Sequence, residues 1–237
     1  MDSAKSHEGH RERLRKRFEK VGFTGFAEHE IVELFLTLCL PRKDVKPLAK
    51  ALLCEFGSIR EIFDADPQKL SQVKGMGHVA PIAIKIIKNF SELYLKETIP
   101  RDSSIIDNYE RLENFWRLRL GGLKNEVFEI ALLNAQLGLL KDGVVRLEEG
   151  VANRTNAYPR KIMEYILRNH ASAFIVAHNH PSGSPTPSDN DCTLTNRIEK
   201  AAESLEIAFV DHVIVARDKI FSFRKERLIG NPPHTKK

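Results

Sequence analysis

The hydrophobic residues of this chain change their period near residue 100, and that change sets what it can fold into. Before it, apolar residues recur every three to four positions in EIVELFLTLCL (30–40), VKPLAKALLCEF (45–56) and IAIKIIKNFSELYL (82–95). That spacing lines one face of a helix. After it come short apolar blocks bounded by turn residues: EVFEIALLN (126–134), GLLKDGVVRL (138–147), SAFIVAH (172–178), IAFVDHVIVA (207–216) and KIFSFR (219–224). These read as strands. Helical patterns separate them at DNYERLENFWRLRLGGL (107–123), YPRKIMEYILRNH (158–170) and SDNDCTLTNRIEKAAESLE (188–206). The expectation is a helical first domain, residues 1–97, and an α/β or α+β second domain, residues 107–230, with a central mixed sheet. The Pro- and Ser-containing stretch 98–106 is expected to link them, and residues 231–237 form a basic tail.

Within the first domain, Pro41, Gly57, Pro67 and the GMG of 75–77 mark the breaks between helices. Ser58 and Asp66 fit helix N-caps, with Pro67 at the first helical position. The segment LSQVKGMGHVAPIAIKII (70–87) is helix, glycine turn, helix. Two glycines there permit backbone angles that other residues avoid, and they leave N–H groups uncovered at a helix start, where an anion is favoured. The segment resembles the helix-hairpin-helix element of DNA-binding proteins, which holds the phosphate backbone without reading sequence. On that resemblance Lys74, Gly75 and Gly77 are the DNA-binding candidates. A plain helix cap joining two packed helices would look the same. Pro81 departs from the pattern and is tolerable only in a helix's first turn.

Charge points weakly the same way. The net charge is +5, and residues 11–20, RERLRKRFEK, carry six basic residues against two acidic ones. Runs of this kind are usually solvated helix faces. No apolar run approaches the roughly 18–20 residues of a spanning helix. The polar, basic start MDSAKSHEGH lacks the apolar segment of a signal peptide, so no membrane is expected and the expected location is cytoplasmic. Cys39, Cys54 and Cys192 are odd in number and scattered, which suggests neither a disulfide framework nor a thiolate cluster. Cys192, beside Asp191, reads better as a small helix residue than as a ligand.

The stretch AHNHPSGSPTPSDND (177–191) carries the chemistry. His178 and His180 end a strand pattern, and alternation puts both rings on one face. Three prolines and Gly183 make a stiff reversal that can return the next helix start towards them. Asp191, in the first turn of that helix, then adds a hard oxygen ligand. Two imidazoles and a carboxylate leave one zinc position open, as in catalytic rather than structural sites. Zinc held this way lowers the pKa of its water to about 7. Ser188-x-x-Asp191 is also a variant capping box, which needs no metal.

The string HNHPSGSPTPSDND resembles the JAMM signature of MPN+ metalloproteases. In detail the chain resembles the RadC family, in which this domain follows a helix-hairpin-helix segment. The resemblance implies a cytidine-deaminase-like α/β fold. It makes His178, His180 and Asp191 the ligands of one zinc ion per chain, Ser188 the residue that stabilises the oxyanion, and Glu126 the acid/base glutamate. Spacing alone does not select Glu126 over Glu129, Glu148 or Glu149. Asp211 or His212 could orient a ligand, although a satisfied strand residue is the stronger reading of each. The implied function is zinc-dependent hydrolysis of a peptide or isopeptide bond beside non-specific DNA binding, with a link to DNA repair or recombination. The alternatives are a metal-dependent nuclease and a DNA-bound repair accessory without peptidase activity.

Overall fold

A computed structural model of the chain describes residues 2–41, 43–147 and 154–230. Glu148, Glu149 and the basic tail 231–237 lie outside them. The chain divides between Ser91 and Glu92 into two compact units.

The first unit is helical. Helices α1 (Asp2–Val21), α2 (Glu28–Cys39), α3 (Lys46–Phe56), α4 (Ile59–Asp64), α5 (Pro67–Gln72) and α6 (Val79–Glu97) follow one another with short turns. Ser58 caps α4 by accepting from the Glu61 N–H, and Asp66 caps α5 by accepting from the Gln68 N–H. Leu36, Ala49, Leu52, Ile62, Leu70, Met76 and Ala80 meet in the core of this unit. The glycine turn lies between α5 and α6, with Gly75 and Gly77 at φ of 104° and 60°. Such angles favour glycine. Met76 between them is fully buried, while Lys74 and both glycines are exposed. The turn is thus anchored from within and open outwards.

The basic segment of α1 is less free than its composition suggests. Arg11 donates to the carbonyls of Leu40 and Lys43. Arg17 pairs with Glu30 at 3.2 Å and lies over the Phe26 ring. Lys16 pairs with Glu12 one helical turn away. Arg13, Arg15 and Lys20 remain as exposed cations.

The second unit is a five-stranded mixed sheet between helices. A 3-10 turn (Ile105–Asn108) leads into α7 (Tyr109–Leu120). Strands β1 (Phe128–Leu133) and β2 (Leu139–Leu147) form a hairpin, and α8 (Arg154–Arg168) leads to β3 (Ala173–Asn179). Helix α9 (Asp189–Glu203) then connects β3 to β4 (Ala208–Ala216), and β5 (Lys219–Ser222) follows. The strand order is β2-β1-β3-β4-β5. All neighbours are antiparallel except β3 and β4. That parallel pair needs a crossover, and α9 supplies it. Leu112, Phe115, Trp116 and Leu120 of α7 cover one face of the sheet. Ile162, Met163 and Ile166 of α8 cover the other, with Leu194 and Ile198 of α9.

Residues 98–106, expected as a linker, belong to this unit. Ile99 and Ile105 are both buried in the α7-side core. The prolines and serines of the stretch mark turns, and its two isoleucines tie those turns down. Among the described residues no helix is long and apolar enough to cross a membrane.

Candidate metal centre

Strand β3 is buried along its whole length, so its polar residues must find partners or a ligand. His178 lies on the α8/α9 face of the sheet, its ring stacked at 5.7 Å on Phe128, its register partner in β1. His180 follows the strand end, where its N–H donates to the Val215 carbonyl. The chain then reverses through Gly183, whose φ of 82° suits glycine, and enters α9 at Ser188.

This reversal brings Asp191 to the histidines. His178 Nε2 and His180 Nε2 are 3.0 Å apart. Asp191 Oδ1 is 3.2 Å from the first, and Asp191 Oδ2 is 3.3 Å from the second. Among the described residues these three side chains form a group able to hold a metal ion. His180 Nδ1 lies 2.9 Å from the Ser184 carbonyl, which can only accept. The ring proton therefore sits on Nδ1, and Nε2 presents a lone pair to the centre. Two nitrogens and a carboxylate at such separations repel one another unless something positive lies among them. The donor set fits zinc.

Burial opposes ionisation of Asp191, but the two hydrogen bonds that its Oδ2 accepts from Ser188 favour it. The carboxyl is held well below the usual carboxylate range. Asp191 is thus an anion ready for a cation.

The capping box is present as well. Ser188 Oγ accepts from the Asp191 N–H, while Asp191 Oδ2 accepts from the Ser188 N–H at 2.7 Å and from its hydroxyl at 2.7 Å. The two readings of Ser188-x-x-Asp191 are one geometry. The cap fixes the carboxylate rotamer, and that rotamer aims Oδ1 at His178.

Glu129 is fully buried and salt-bridged to Arg119 Nε at 2.9 Å and Arg146 Nε at 3.0 Å. Its neighbour Phe128 faces His178, so Glu129 points to the opposite side of the sheet. It is an ion-pair residue away from the histidines. Pairing between β1 and β3 continues back through Val127, whose carbonyl accepts from the Asn179 N–H. Glu126, half-buried, lies just before β1, two residues ahead of Phe128. Cys192 packs against the α8-side core instead of joining the ligand group.

Three further residues surround the centre. Asn179, buried between the two histidines in sequence, accepts from the Val127 N–H at 2.8 Å and donates to the carbonyls of Leu123 and Asn125. It pins the segment that carries Glu126 to the end of β3. A polar residue inside an apolar strand is the sequence mark that could have revealed it. His212 Nε2 lies 2.8 Å from His178 Nδ1, and Thr195 Oγ1 lies 2.6 Å from His212 Nδ1. Burial pushes the His212 pKa well below its usual value. His212 is therefore more than a satisfied strand residue. Its neighbour Asp211 is the satisfied one, accepting from Tyr109, Ser222, the His212 N–H and the Arg224 N–H.

The family model for the RadC-like JAB domain matches residues 106–228. The chain belongs to this family. A RadC-family relative from Fusobacterium nucleatum, UPF0758 protein FN0909, is 37% identical over 236 residues, spanning 96% of this chain and 100% of its own. Another from Ruegeria pomeroyi, UPF0758 protein SPO0054, is 33% identical over 217 residues, spanning 92% of this chain and 96% of its own. The RadC-like match covers the sheet, α7 and the group able to hold a metal together.

Proposed function

We propose that this RadC-family chain is a zinc-dependent hydrolase of peptide or isopeptide bonds whose first unit holds DNA. The observation that carries the reading is the convergence of His178 Nε2, His180 Nε2 and the Asp191 carboxylate within 3.3 Å at the end of β3. Zinc held by these three would supply a Lewis acid with one open position, able to activate water at neutral pH. Glu126, on the segment that Asn179 ties to the end of β3, is the base that accepts a proton from the attacking water and returns it to the leaving nitrogen. Ser188 donates a hydrogen bond to the oxygen of the attacked carbonyl. Its proton is given to Asp191 Oδ2 in this structure, so that role requires the hydroxyl to turn from the carboxylate towards the substrate.

The purified protein should cleave peptide or isopeptide conjugates and lose that activity with a chelator. Cleavage of DNA in place of those conjugates would favour the nuclease reading. Chelator-resistant hydrolysis would remove the metal from the account.

The DNA-binding part rests on the glycine turn, with Lys74, Gly75 and Gly77 exposed around a buried Met76. The full chain is expected to bind duplex DNA without sequence preference, and log affinity should fall linearly with log salt as phosphate contacts release counterions. Gly75→Val, strained at a φ of 104°, should weaken binding without affecting metal content. Titrations at several salt concentrations check this. No binding at low salt, or binding indifferent to Gly75→Val, would remove DNA from the proposal.

A further inference from the structure

Whether a histidine can ligate through Nε2 depends on where its single ring proton sits, and the bonds around His178 settle that without reference to a metal. The backbone carbonyl of Asp191 can only accept, so the Thr195 hydroxyl 2.6 Å away donates to it. That uses the only proton Thr195 has. Towards His212 Nδ1, at 2.6 Å, the hydroxyl is therefore an acceptor and the ring nitrogen carries the hydrogen. His212 has no exposed surface and its ring nitrogens meet only a hydroxyl and another imidazole, with no carboxylate to balance a charge, so it carries one ring hydrogen and Nε2 is bare. His178 Nδ1, 2.8 Å from it, must then donate, and His178 Nε2 is left with its lone pair facing His180 and Asp191.

We propose that Thr195 and His212 are positioning residues that hold His178 in its metal-binding tautomer and orientation and so set the affinity of the centre. The relay starts from the backbone of Asp191, so one ligand's helix turn fixes the protonation of another ligand 13 residues earlier in the chain. His212 is held in turn by its neighbours. Its ring stacks on Phe223 at 4.8 Å and 8°, and it has no exposed surface. The inference rests on the metal-centre reading above and adds the residues that tune it.

Thr195→Val keeps the shape of the side chain but can neither donate nor accept. Thr195→Ser keeps both functions. His212→Phe keeps an aromatic ring against Phe223 and removes both nitrogens. In equilibrium zinc titrations Thr195→Val should bind about 10- to 100-fold more weakly than wild type, the usual weight of an outer hydrogen-bond partner. Thr195→Ser should remain close to wild type. His212→Phe should lose at least as much as Thr195→Val, because the Nδ1–H of His178 is left without an acceptor. Cobalt-loaded Thr195→Val should also show an altered ligand-field spectrum, which a merely packing role would not produce. Wild-type zinc affinity and an unchanged cobalt spectrum in either Thr195→Val or His212→Phe would overturn the inference. A wild-type protein that takes up no zinc would instead overturn the reading beneath it.

Discussion

Glu126→Gln is expected to keep its zinc and to lose turnover by a factor of about 100 to 10,000, the usual weight of a general base. Glutamine preserves size and hydrogen bonding but cannot accept the proton of the attacking water. The residue lies two positions before Phe128, on a segment clamped to β3 by Asn179. The base role proposed for it therefore depends on placement as well as chemistry. Ser188→Ala is the companion variant. It should slow turnover by roughly 100-fold if its hydroxyl is a main oxyanion donor. It should also cost about 1 kcal/mol of stability, because the same hydroxyl caps α9. Rates on the bond that the wild type cleaves, with zinc content and melting temperature alongside, separate these effects. A fully active Glu126→Gln protein would disqualify that residue. Glu129, committed to Arg119 and Arg146 on the opposite face, would not replace it.

His178→Ala, His180→Ala and Asp191→Ala should each lose most of the zinc that the wild type retains through purification. In the wild type, affinity should fall as pH is lowered, because protons compete for the two imidazoles. Asp191→Ala is the most informative of the three. It removes a ligand and one half of the capping box together, whereas Ser188→Ala removes the other half and leaves all three ligands in place. If the carboxylate matters only as a cap, both variants should melt lower and both should hold zinc. If it is also a ligand, only Asp191→Ala should lose the metal. Metal analysis of the two proteins side by side decides between these outcomes.

How far the sequence foretold the site depended on how local each relation was. His178 and His180 share a face because alternation is a property of one strand, and Asp191 follows from its place in the first turn of α9. The strands of the second unit were legible for the same reason, each falling within a short apolar block. Thr195 could not be found that way, and the choice between Asp211 and His212 stayed open. Their contacts depend on the register between β3 and β4, which shifts between Phe174 and Ile175. Phe174 pairs with Phe209, but Ile175 pairs with Asp211, so β4 holds one extra residue at Val210. Without that bulge, Asp211 would stand opposite Val176, the position His212 takes. A one-residue shift exchanges the faces of a strand, and here it decides which of two adjacent polar residues meets the histidines. The basic segment of α1 shows the reverse failure. Its charge count was visible at once, but the internal partners of Arg11 and Arg17 appear only when α1 is packed against the rest of its unit.

The central claim is a zinc centre built from His178, His180 and Asp191, and zinc titration of the metal-stripped wild-type protein at neutral pH tests it most directly. The account predicts saturable binding of about one zinc per chain, with tight affinity abolished in His178→Ala. Failure of the intact, folded protein to take up zinc, or tight binding undiminished in His178→Ala, would contradict it.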